Sequence, residues 1–208
     1  WKIIFDNFVL GDTSLVDSLL QDSVNSFFYE LVIFNDTSLN KTFHIIREQL
    51  DSSFVDQNEP GNDEDDVLGS FKNSWGMYII NPSSSREQVF IQVPHPCDDF
   101  IAPYIAMDLY IQTDAFGFMI ASASRESKWN EIGNYSNSKS ISDPSRYPHT
   151  VFQIFQESAT ESLVQTEPHW PLIFVIHSFD NDTHLDRKSV ILAAGSQKPL
   201  TTKPIREI

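Results

Sequence analysis

Cysteine is nearly absent: Cys97 stands alone among 208 residues. That excludes a disulfide framework and any zinc site built on several thiolates. Seven glycines and eleven prolines leave no room for collagen-like or low-complexity chain. Basic residues are scarce too, with 14 Lys and Arg against 29 Asp and Glu, a net charge of −15 with histidines neutral. So acidic a chain repels phosphate backbones and anionic headgroups, so neither nucleic acid nor a membrane surface is expected as a partner. No apolar run approaches the roughly 18 residues of a membrane-spanning helix. The chain opens at Trp1 with no basic-then-apolar leader, the form expected of a processed protein or a fragment.

What the chain has in quantity is aromatic residues: 16 Phe, 6 Tyr and 4 Trp within an apolar content of 40%. That is enough to bury a sizeable core, and a soluble globular domain is expected. Residues 1–69 read as a helix-leaning segment ending in an acidic loop, packed on or preceding a main domain over residues 70–208. Ser14 is placed to cap a helix whose apolar positions are Leu15, Val16, Leu19, Leu20, Val24 and Phe27 or Phe28. Residues 29–34 fit either a continuation of it or a short strand. Residues 51–66 hold seven acids, no base and the Pro60-Gly61 turn signal. They lack the glycine and bidentate glutamate spacing of a calcium loop, so a solvated loop is expected.

From Trp75 onward, strands and helices alternate. Residues 77–80 and 89–93 are expected to pair through the Asn81-Pro82-Ser83 turn. Helices are expected over 101–113 and 149–164, and a long polar loop over 122–148. Residues 116–121 and 171–176 are continuous apolar runs, as in strands covered on both faces, and 189–194 form a last strand. This order argues for an α/β three-layer sandwich with a mixed, mostly parallel central sheet. Strands 89–93, 116–121 and 172–176 would be adjacent and internal.

Ligands of open α/β sheets sit beyond the carboxyl ends of the strands. Three of the expected strand ends are polar: Pro94-His95-Pro96-Cys97-Asp98-Asp99, Ser122-Ala123-Ser124-Arg125, and His177-Ser178-Phe179-Asp180. Two histidines and a carboxylate on one edge supply three ligands for a zinc-type ion and leave a position open. The alternative is a strand-end histidine with Asp98 or Asp99 capping the next helix. Cys97 beside His95 lacks an acidic orienter, and Ser196 lacks a nucleophile elbow, so covalent hydrolysis is not indicated.

The stretch Gly76-Met77-Tyr78-Ile79-Ile80, then Phe90-Ile91-Gln92-Val93-Pro94-His95-Pro96, then an aspartate three or four residues after the histidine, resembles the zinc-carboxypeptidase and N-formylglutamate amidohydrolase-like hydrolases. Further landmarks follow in order: residues 121–125, Ser142-Asp143 leading into Thr150-Val151-Phe152, Ile176-His177-Ser178-Phe179, and residues 190–196. The resemblance covers roughly residues 70–200. It implies metal-dependent hydrolysis of an amide or peptide bond next to a carboxylate, with Zn2+ and a small peptide or acyl-amino-acid-like substrate. His95 and His177 would be metal ligands together with Asp98 or Asp99. Arg125 would hold the substrate's carboxylate or polarise its carbonyl, with Asp143, Arg146 and His149 also at the substrate. Ser124, Arg146 and Ser178 depart from the residues of those relatives, and nothing after Ala194 supplies a general base convincingly. The competing expectation is a non-catalytic ligand-binding domain on the same scaffold with a degenerate site.

Overall fold

The computed structural model describes residues 1–22, 27–50, 71–125, 142–145, 147, 149–166 and 171–178. The expected acidic loop at 51–66, the strand at 189–194, Glu126 and Arg146 lie outside them. The elements are α1 (Lys2–Val9), α2 (Thr13–Leu20), β1 (Tyr29–Asp36), β2 (Lys41–Glu48), β3 (Met77–Ile80), β4 (Arg86–Val93), α3 (Ala102–Gln112), β5 (Ala115–Ile120), α4 (Val151–Thr166) and β6 (Leu172–Val175). Trp1–Ser178 form one compact unit. No helix among the described residues is long and apolar enough to cross a membrane.

Among the described residues the helix leaning of the first third ends at Leu20, and the expected helical position Val24 lies outside them. The cap of α2 is Asp12, not Ser14: its carboxylate accepts from the Leu15 amide at 3.1 Å. Residues 29–48 form a hairpin, so of the two alternatives for 29–34 the strand holds. Asp36 closes its turn by accepting from the Ser38 and Leu39 amides and the Ser38 hydroxyl, and Asn40 takes φ +50°. The β-branched and aromatic run of β1 then pairs with β2 in register from Tyr29–Glu48 to Asp36–Lys41.

The six described strands lie in the order β1-β2-β3-β5-β4-β6. β1/β2, β2/β3 and β3/β5 are antiparallel; β4/β5 and β4/β6 are parallel. The sheet is mixed as expected, but mostly antiparallel, because the N-terminal hairpin adds two strands that the apolar runs did not announce. β3 and β4 do not pair, since β5 lies between them. The turn after β3 wraps around the start of β5. Asn81 donates its amide to the Phe116 carbonyl at 2.8 Å and its side chain to Asp114, while Ser84 and Ser85 hold the backbone and carboxylate of Asp114. That hold opens the space β5 occupies. β6 does neighbour β4, yet it is the outermost described strand, with Leu172, Phe174 and Val175 exposed. Its apolar run is therefore not the mark of a strand covered on both faces within the described chain.

Neighbouring residues along the inner strands enter two separate apolar clusters, as the strand period requires. Ile80, Phe90 and Met119 pack with Phe5 and Phe8 of α1, Val16 of α2 and Phe155 of α4. Ile79, Ile91 and Phe118 pack with Ala102, Ala106 and Tyr110 of α3. Gly117 is required where β5 meets β4: a Cβ there would lie 2.1 Å from the Phe90 ring. Because β4, β5 and β6 run parallel, their carboxyl ends share one edge. Pairing continues past the strands through Ala121 to the Val93 carbonyl (3.0 Å) and Ile176 to the Gln92 carbonyl (2.8 Å). His95 and His177 follow directly.

Candidate metal centre

His95 is reached two residues after β4 and His177 two residues after β6, so parallel pairing of the strands brings the imidazoles together. Their Nδ1 atoms are 3.3 Å apart, and His177 Nδ1 is 3.1 Å from Asp99 Oδ2. Asp99 arrives through one turn of chain: its amide donates to the His95 carbonyl at 2.8 Å, which sets residue 99 one helical turn beyond the histidine. His95, Asp99 and His177 each offer a ligating atom within 4.8 Å of the others. His95 and Asp99 are buried, while the His177 side chain is 40% exposed, so the group opens to solvent on the His177 side.

This donor set fits a metal ion. Bonds of about 2.0–2.2 Å at tetrahedral angles place neighbouring donor atoms about 3.3 Å apart, which matches two of the three pairs, at 3.3 and 3.1 Å, while the third, His95 with Asp99, lies within 4.8 Å. The partners behind the group orient it. His95 Nε2 lies 2.9 Å from Asp143 Oδ1, both side chains being almost fully buried. An ionised carboxylate only accepts, so Nε2 carries the proton and Nδ1 keeps its lone pair towards Asp99 and His177. Ser178 donates to Asp99 Oδ1 at 2.7 Å, leaving Oδ2 for the centre. Burial pushes the Asp99 carboxyl up, but hydrogen bonds from Ser178 and His177 outweigh it and hold the group below its usual range.

Of the two candidate carboxylates, Asp98 is turned away. It accepts from the Ser124 hydroxyl at 3.3 Å and the Arg125 amide at 3.2 Å, with Arg125 Nε at 3.7 Å. Among the described residues, the ion-pair partner of Arg125 is thus Asp98. Asp143, expected at the substrate, is buried behind His95 and also accepts from the Ser145 amide. His149 is exposed, packs edge-on against Tyr147 at 5.5 Å, and precedes the Thr150 cap of α4. Cys97 is exposed with its thiol towards the Ser122 carbonyl, not towards His95. The roles of Asp143 and Ser178 as braces went unread in the sequence, since no spacing connects residue 143 to 95 or 178 to 99.

Beside the centre a cleft of about 860 Å³ runs along the ends of β5 and α4. Ser124, whose hydroxyl holds Asp98, and Pro144, next to Asp143, are in its wall, as is His149. A far smaller cavity of about 30 Å³ lies at the opposite sheet edge around Lys41 and Asp114, a buttoned ion pair rather than a ligand site. Comparison with protein-family models, characterised proteins and solved structures gave no match to this chain.

Proposed function

We propose that the protein is a metal-dependent hydrolase of an amide or peptide bond adjacent to a carboxylate, acting on a small peptide or acyl-amino-acid-like substrate, with zinc held by His95, Asp99 and His177. The observation that carries this reading is the convergence of those three side chains at an open strand-end edge, with His95 fixed through Nε2 by Asp143. Two imidazoles and one carboxylate are a donor set suited to zinc with a position left open. Bound zinc supplies Lewis acidity at a carbonyl oxygen and acidifies water. Within the protein, Asp143 keeps the His95 proton at Nε2, Ser178 holds Asp99, and Asp98 fixes the backbone of Arg125. The guanidinium, 42% exposed, then has the fork that grips a carboxylate or a developing oxyanion. Helices in both apolar clusters support the three-layer reading of the fold, and the strand-end landmarks support the resemblance to zinc-carboxypeptidase and N-formylglutamate amidohydrolase-like hydrolases.

The test is hydrolysis of N-acyl amino acids and dipeptides before and after zinc loading. The reading expects turnover that chelation abolishes, zinc restores, and His95→Ala/His177→Ala eliminates. The second reading, a non-catalytic binding domain, is favoured by one observation: Asp98, Asp99 and Asp143 are all engaged by neighbours, so none is presented as a general base. Zinc-loaded protein that binds such compounds without cleaving them would select it.

A further inference from the structure

The cleft beside the metal centre differs in composition from the chain around it. Trp1, Phe27, Trp75, Tyr147 and Phe152 form much of its wall. Trp1 lies 5.0 Å from Phe27 and 5.9 Å, edge-on, from Trp75, so three of these rings are contiguous. Tyr29 stacks behind Trp75 at 6.2 Å and stiffens it, while Trp75 keeps 37% of its surface exposed. The protein carries 29 acids, yet none of the described residues lining this cleft is Asp or Glu. The basic residues among its described lining are Lys72 and His149. Lys72 Nζ sits 3.8 Å from the centre of the Phe28 ring, and no described carboxylate pairs with it.

We propose that the cleft binds an aromatic acid, its rings stacked on the Trp1–Trp75 wall and its anionic group met by Lys72. The volume of about 860 Å³ falls within the roughly 300–1,000 Å³ of small-molecule sites, which are mostly apolar with a few placed polar groups. Rings offer the wall large, rigid contact area. Aromatic walls also attract cations, but the Lys72 ammonium, held over the neighbouring Phe28 ring, lines this cleft and repels a second cation. An anion meets repulsion over most of a surface with net charge −15; a lining with described bases and no described acids is where that repulsion is relieved. The cleft borders neighbours of the centre, with Ser124, which holds Asp98, and Pro144, next to Asp143, in its wall, while His95, Asp99 and His177 are not part of its lining. That the bound acid is the apolar portion of the metal centre's substrate rests on the reading in the preceding subsection; the binding itself does not.

The probe is 8-anilinonaphthalene-1-sulfonate, followed by its own emission and by quenching of tryptophan, beside its neutral analogue N-phenyl-1-naphthylamine. Saturable one-site binding of the anion is expected. Trp75→Ala should weaken both probes by at least about fivefold, from the lost ring contact. Lys72→Glu, a change on an exposed side chain that leaves the core intact, should weaken the anion about tenfold and the neutral analogue by less than about twofold. Zinc titration of the same samples separates the two claims. His95→Ala/His177→Ala should lose zinc and keep the probe, and probe binding in a protein that takes no zinc would leave the cleft standing while removing the metal reading. Zinc binding without saturable probe binding, or probe affinity indifferent to both Trp75→Ala and Lys72→Glu, overturns the aromatic-acid site.

Discussion

Replacing Asp99 by Asn should remove most of the zinc affinity, and the same change at Asp98 should leave it nearly intact. The two carboxylates are adjacent in the chain, so composition and net charge change identically; only geometry separates them. Asp99 Oδ2 is 3.1 Å from His177 Nδ1, whereas Asp98 is spent on Ser124 and Arg125. Four-ligand zinc sites bind with about 10–16 kcal/mol, so one ligand averages about 3 kcal/mol. Losing Asp99 therefore costs on the order of a hundredfold in affinity. Asn retains an acceptor for the Ser178 hydroxyl, so the fold of the turn should survive. At Asp98 the lost charge is partly exposed and screened, and the change should stay within about threefold. Calorimetric titration with zinc against a competing chelator at pH 7 reads both. Equal losses at the two positions, or a larger one at Asp98, would refute the assignment of the ligands.

Asp143→Ala should lower zinc affinity about 10- to 100-fold, because the buried proton on His95 Nε2 loses its acceptor; an unchanged affinity would remove Asp143 from the centre. Gly117→Ala should destabilise the fold by about 1–3 kcal/mol in urea unfolding, since the new methyl meets the buried Phe90 ring. An unchanged midpoint would show that the ring moves aside at no cost. Asp114 supplies a pH dependence: burial pushes its carboxyl up, but Lys41 and Ser85 outweigh that and hold it below its ordinary 3.8. A depressed folded value contributes stability above the ordinary value that is lost as pH falls through the folded one. Asp114→Asn should accordingly flatten the acid limb of stability below 3.8 and lower stability at neutral pH, and identical acid limbs would contradict the network.

Where local pattern decides structure, the sequence was legible. The helix expected at 101–113 and the strands expected at 77–80 and 116–121 emerge within a residue or two, and β4 begins three residues before the expected 89–93, because apolar spacing and flanking turns act over a few residues. The adjacency of β5, β4 and β6 was legible, but the place of β3 in the strand order was not. A turn after Ile80 looks like a hairpin, and only the hold of Asn81, Ser84 and Ser85 on residues 114 and 116 reveals β5 between β3 and β4. Continuous apolar character misled at β6, since three of its four residues are exposed despite reading like those of β5. At the centre, the pairing of His95 with His177 followed from parallel strand ends, a rule of architecture. The choice between Asp98 and Asp99 needed the backbone turn, because alternation along an extended segment and one turn of helix point different residues inward. Asp143 depends on a loop aspartate meeting a residue 48 positions away, and nothing in local spacing encodes that.

X-ray absorption spectroscopy on the protein loaded with one equivalent of zinc tests the central claim most directly. The account predicts a first shell of only nitrogen and oxygen at about 2.0–2.1 Å with the outer-shell scattering of two imidazoles, a signal that His95→Ala/His177→Ala abolishes. A sulfur ligand at about 2.3 Å, which would have to be Cys97, or zinc that persists in the double variant, would contradict it.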